Sequence, residues 1–136
     1  ASTEESDAFA DIEEKLGVKL PEFYYRPNGM EFLDYEVNDK SCFAKIEYQY
    51  ENNVEVFYIE KQNQTTTSKI KSLNGTEVII DKINIGNIEI TIKKMQDNSD
   101  KVNTYIASWI EDDCIYSWIG KLPEDELKKI IKYIKF

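Results

Sequence analysis

With 136 residues and a mass of 15.9 kDa, the chain has the size of one domain. Its 41% apolar and 32% charged residues are the balance of a globular domain, and a net charge of −9 works against counterion-driven binding to nucleic acid. There is no histidine, which removes Ser–His–Asp and Cys–His nucleophiles and His-ligated metals, and the five glycines form no phosphate-cradling loop.

Residues 1–6 are small and polar and are expected to be a tether, with one domain over residues 7–136. Phe9, Ile12 and Leu16 recur at helical spacing, so residues 7–16 are predicted as a helix, capped by Ser6 or Asp7 and ended by Gly17. Tyr25-Arg26-Pro27-Asn28-Gly29-Met30 has the composition of a tight turn.

From Met30 the pattern becomes strand-like, with three hairpins. A two-residue turn at Asn52 and Asn53 sets Ile46 opposite Ile59 and Tyr48 opposite Phe57, with Lys45 against Glu60 and Glu47 against Tyr58 on the reverse. A turn at Gly86 and Asn87 gathers Ile83, Ile85, Ile88, Ile90 and Ile92 on one face. A turn at Asp112 and Asp113 sets Ile110 against Ile115 and Ile106 against Ile119. Its reverse face sets Trp109 against Tyr116 and Ala107 against Trp118. Neither face of this last hairpin is polar, so one meets the core and the other needs a cover. A helix over residues 123–134 closes the chain, with Leu127, Ile130, Ile131 and Ile134 as its apolar stripe. Residues 61–76 and 96–101 are expected to be surface loops. The predicted architecture is α+β: a mainly antiparallel sheet of six or seven strands, with an N-terminal helix and a C-terminal helix packed on it.

Cys42 and Cys114 lack Cys-x-x-Cys spacing and fit either two small apolar strand residues or a bridge closing a long loop. Residues 1–60 carry fifteen acids and five bases, an imbalance that fits a face for a cationic partner or an ordinary solvated surface.

Three stretches carry a family likeness. Tyr25-Arg26-Pro27-Asn28-Gly29-Met30 is similar to a Tyr-x-Pro-x-Gly-aromatic turn that leads into a first strand. Trp109, the acidic turn Asp112-Asp113 and Tyr116 are similar to a penultimate hairpin. Gly120-Lys121-Leu122 running into Glu126-Leu127-Lys128-Lys129-Ile130 is similar to a closing strand-to-helix segment. Over about residues 17–136 the chain resembles the bacterial domain-of-unknown-function family 4367. The resemblance implies an extracytoplasmic module, secreted or placed beyond a membrane helix, in some members beside regulators of extracytoplasmic sigma factors. It brings no catalytic residue with it.

Glu111, Asp112 and Asp113 are the acids placed for acid–base work or for calcium, and Asp97, Ser99 and Asp100 are a second calcium candidate. A hairpin tip is wet, and neither set matches a calcium-loop pattern, so no catalytic residue, metal or cofactor is expected. Asn63-Gln64-Thr65 and Asn74-Gly75-Thr76 fit the N-glycosylation pattern and point to exposed loops. Trp109, Tyr116 and Trp118, with Tyr24 and Tyr25 beside the turn, are the candidate contacts for a partner or ligand, although strands also favour aromatics for packing.

The expected function is a non-enzymatic extracytoplasmic binding or regulatory module. Its partner would be a protein or an envelope component, and it would meet a membrane only through a tether outside this chain. The alternatives are an acidic inhibitor or immunity-type protein that neutralises a basic partner, and a carrier of an apolar ligand between isoleucine faces.

Overall fold

The computed structural model describes residues 3–62, 76–96 and 103–136. Helix α1 runs over Thr3–Leu16 and ends at Gly17, whose φ of +64° suits glycine. It begins four residues before the predicted start, so residues 3–6 are its first turn and not a tether. Glu5 explains the difference. Its buried carboxylate accepts hydrogen bonds from Arg26 and from the Tyr48 hydroxyl, at 2.6 Å for the latter, which fastens this turn to the sheet.

Among the described residues, seven antiparallel strands form the sheet: β2 Glu31–Asn38, β3 Phe43–Tyr50, β4 Asn53–Lys61, β5 Thr76–Ile85, β6 Ile88–Gln96, β7 Thr104–Glu111 and β8 Cys114–Gly120. Their spatial order is β2-β3-β4-β8-β7-β6-β5, so β8 returns beside β4 and leaves β2 and β5 as the outer strands. Helix α2, Glu124–Lys132, ends before Ile134 because Ile134–Lys135 forms a short strand, β9, paired with β1 at Glu22–Phe23. This two-residue ladder is absent from the sequence reading, since two residues carry no period. The fold class is the one expected, α+β with a helix near each end.

Two hairpins have the predicted registers. Ile85 faces Ile88 and Ile83 faces Ile90 around Gly86. Trp109 faces Tyr116 and Ala107 faces Trp118 around Asp112 and Asp113, whose φ values of 49° and 64° identify the turn favoured in tight hairpins. The first hairpin differs. It turns at Glu51 and Asn52, with Tyr50 opposite Asn53, so Ile46 meets Phe57 and Ala44 meets Ile59. The slip is an even step, so every side chain keeps its predicted face. Its consequence is to set Glu55 opposite Tyr48 on the inner face, where its carboxylate accepts the Trp118 indole N–H at 2.9 Å and the Lys121 backbone N–H at 2.8 Å.

Both helices lie on this inner face. Ile46, Phe57, Ile59, Ile90, Ile92 and Trp118 are buried there, and Leu127, Ile130 and Ile131 of α2 complete the core. The aromatic rings stack across strands: Trp109 on Tyr116 at 5.4 Å and 11°, and Tyr48 on Trp118 at 5.5 Å and 15°. The aromatic face of the last hairpin therefore meets the core, while Ile110 on its other face is 70% exposed.

Glu55 gives the fold a measurable pH response. Burial pushes its pKa up, opposed by the bonds from Trp118 and from the Lys121 and Leu122 backbone. Between the ordinary glutamate pKa of about 4.3 and the raised folded value, the native state binds more protons than the unfolded chain. Stability from this group then falls as pH rises through that window. Asp11 and Asp81 act oppositely: the Tyr35 hydroxyl and the Lys128 ammonium hold their pKa values low, so their contribution is lost as pH falls through those values. Subtracting the unfolding free energy of Glu55→Gln from that of the wild type isolates Glu55. The difference is expected to decline as pH rises above the ordinary glutamate pKa of about 4.3, and a flat difference would refute the assignment.

Candidate functional site

The segment after Gly17 folds back beside α1 and leads into β1, which β9 holds at Glu22 and Phe23. Between helix and segment lies an open cleft of about 510 Å³. Phe9 and Ala10 of α1 form one wall, and Leu20, Pro21, Phe23 and Tyr24 form the other. The spacing of Glu5, Phe9 and Glu13 explains the first wall, because residues four apart share one helical face. The Glu13 carboxylate accepts the Leu20 backbone N–H at 2.9 Å and fixes the opposing segment against the helix.

Glu5 and Arg26 also line the cleft. Their ion pair, bonded to Tyr48 and with the guanidinium 5.4 Å from the centre of the Tyr48 ring, supplies polar anchors among apolar walls. Tyr24 is 64% exposed at the rim, with the Lys135 ammonium 5.8 Å from its ring centre. This arrangement can bind.

The five aromatic candidates are not brought together. Trp109, Tyr116 and Trp118 are buried in the core, which corrects their reading as surface contacts. Tyr116 donates its hydroxyl to the Lys19 carbonyl at 3.2 Å, and Trp118 serves Glu55. Tyr25 is half-buried and turned to α2, where it donates to Glu126 at 2.8 Å and lies beneath Lys129; the Glu126 bond pushes its pKa up. Tyr24 alone among the five lines the cleft. Glu5, Phe9 and Arg26 were missed as site residues. Arg26 carried a signal, as the one arginine among 17 basic residues, because a planar guanidinium suits a partly buried carboxylate pair better than lysine does.

A second cleft, of about 560 Å³, lies at the β7–β8 tip between Lys19, Lys61, Glu111 and Asp113, with Tyr116 in its lining. Burial, and then Asp112, raises the Glu111 pKa, while Asp112 and Asp113 face solvent. Lys61 donates to the Leu16 carbonyl at 3.1 Å, closing the C-terminal end of α1. Among the described residues no group of His, Cys, Asp or Glu is placed to hold a metal ion. Asp97, Ser99 and Asp100 lie outside the described residues, as do Asn63, Thr65 and Asn74 of the glycosylation patterns. Cys114 is the cross-strand partner of Lys61 in β8, while Cys42, in the turn before β3, accepts the Lys61 backbone N–H with its carbonyl; no disulfide joins the two cysteines.

The acidic half divides. Glu5, Glu55 and Glu60 are buried, Asp11 serves Lys15 and Tyr35, and the exposed acids spread over α1, β1, β2 and the turns at Asp39 and Glu51. The isoleucine faces of β5 and β6 do not line either cleft. Ile90 and Ile92 are packed core.

Residues 20–134 match the family described as Domain of unknown function (DUF4367). The chain belongs to the DUF4367 family. The DUF4367 match takes in the whole sheet, β1 and α2, and begins after α1. One wall of the cleft is thus DUF4367 domain and the other is the helix that precedes it. No curated protein and no solved structure matches the chain.

Proposed function

We propose that this DUF4367 domain is a non-enzymatic binding module carried outside the cytoplasm by a secreted or membrane-anchored bacterial protein, and that the α1–β1 cleft takes a segment of a protein partner. The observation that carries the reading is the cleft itself: apolar walls from Phe9, Leu20, Pro21 and Phe23, an anchored ion pair, and the exposed Tyr24 at its mouth. Apolar walls with a few fixed polar groups are the usual make-up of a recognition site, and tyrosine is a frequent anchor of binding energy. The extracytoplasmic placement is supported by the family resemblance.

The test is selection of peptides from a random-sequence display library against the immobilised chain. Selected peptides are expected to bind Tyr24→Ser at least about tenfold more weakly than wild type. Ile110→Ser, which changes an exposed residue on the opposite face of the sheet, is expected to leave affinity within about twofold. Failure to select any binder, or equal losses in the two variants, would remove the cleft from consideration. Protection of the natural gene product from protease added to intact cells would refute the placement outside the cytoplasm.

A further inference from the structure

The two outer strands of the sheet are built differently. Along β2, Glu31, Asp34 and Glu36 are all acidic and, because of an irregularity at Leu33, share one face, and α1 packs alongside. A second copy of β2 would meet these like charges, whereas the charges of β5 are mixed in sign. At the other end, β5 is ten residues long, and β6 is the strand paired with it. Its exposed residues include Val78 and Ile79, the latter 55% exposed.

The charges of β5 are self-complementary because of its bulge. Glu77 pairs with Met95 and Ile79 with Lys93, whereas beyond the bulge at Ile80 Lys82 pairs with Thr91. Met95, Lys93 and Thr91 alternate along β6 and share the face away from the helices, so Glu77, Ile79 and Lys82 share it too. Without the extra residue, Glu77 and Lys82, five apart, would project from opposite faces.

The geometry points to β5 as the site of self-association: a second copy adds its own β5 antiparallel to the first, about a two-fold axis perpendicular to the sheet between Ile79 and Ile80. In that register Glu77 of each copy faces Lys82 of the other on the same face. Ile79 meets Ile80 at the centre, and Val78 meets Asp81, whose carboxylate Lys128 holds at 3.2 Å. The interface is isologous and closed, and it joins two seven-stranded sheets into one. A single strand pair buries little area, so the dimer is weak, with a Kd on the order of 100 µM.

Sedimentation velocity of the full chain over a concentration series up to about 1 mM, with circular dichroism to confirm folding, tests this. A reversible monomer–dimer equilibrium is expected. Ile79→Lys is expected to weaken it at least about tenfold, and Glu77→Lys and Lys82→Glu each about threefold. The double variant Glu77→Lys with Lys82→Glu is expected to return to within about twofold of wild type. Rescue is diagnostic because within one chain Glu77 pairs with Lys93 and Lys82 with Glu89, and the double variant breaks both of those contacts. A protein monomeric to about 1 mM, a dimer indifferent to Ile79→Lys, or a double variant no better than the single ones would overturn the assignment.

Discussion

Gly120→Ala is expected to destabilise the fold by about 3–5 kcal/mol, the sum of an overpacking cost and the loss of buried hydrogen bonds. A Cβ at position 120 would lie 2.1 Å from Glu55 Oε1 and 2.3 Å from Oε2. A carboxylate at the end of a flexible side chain usually yields at small cost. This one is 0% exposed and held from both sides, by the Trp118 indole at 2.9 Å and the Lys121 amide at 2.8 Å. Moving it breaks those bonds and leaves a buried carboxylate without them. The coupling is testable by a double-mutant cycle: in a Glu55→Ala background, Gly120→Ala is expected to cost less than about 1.5 kcal/mol, because the space is then open. Urea denaturation of the four proteins gives the coupling, and additive costs would show that Gly120 is constrained by something other than Glu55.

Arg26→Leu is expected to cost about 3 kcal/mol, the lower end of the range for breaking a buried ion pair, since 31% of the arginine side chain remains exposed. The variant takes the guanidinium from the buried Glu5 and from the face of Tyr48 together. Its effect is expected to concentrate in the first turns of α1, whose amides should exchange with solvent faster than those of α2. Pairing Arg26→Leu with Glu5→Leu is expected to recover most of the loss, because the uncompensated buried charge is then gone. A cost below about 1 kcal/mol, or exchange that rises equally in both helices, would mean that the ion pair does not dock α1. The same variant reads on function: the pair lines the cleft, so loosening α1 opens one of its walls.

The second and third hairpins were legible in residues 76–120 because their registers are local properties. Gly86-Asn87 and Asp112-Asp113 tolerate positive φ and fix the turn, and the isoleucine alternation admits one register for each. The first hairpin was legible only to its faces. Glu51-Asn52 and Asn52-Asn53 both serve as turns between its strands, and both preserve the alternation. What separates them is not local: in the observed register Tyr48 of β3 stacks on Trp118 and its hydroxyl reaches Glu5, both more than forty residues away in sequence. The cleft was legible in a single residue, Tyr24, because its walls come from a helix and from an extended segment whose relative placement no spacing encodes.

The sequence by itself determined the α+β class, the helix faces, the residues that share each side of the three hairpins about their turns, and the likeness to DUF4367 over most of the chain. These follow from periodicity and turn chemistry, which act within a few residues. Only the tertiary structure decided which side of the β7–β8 hairpin is core, burying Trp109, Tyr116 and Trp118 and leaving Ile110 in water. It alone decided that Glu5 meets Arg26 and that Glu22 and Phe23 pair with the end of the chain. Both faces of that hairpin are apolar, so the preference came from what was available to cover them: the helices of this chain pack on the aromatic side.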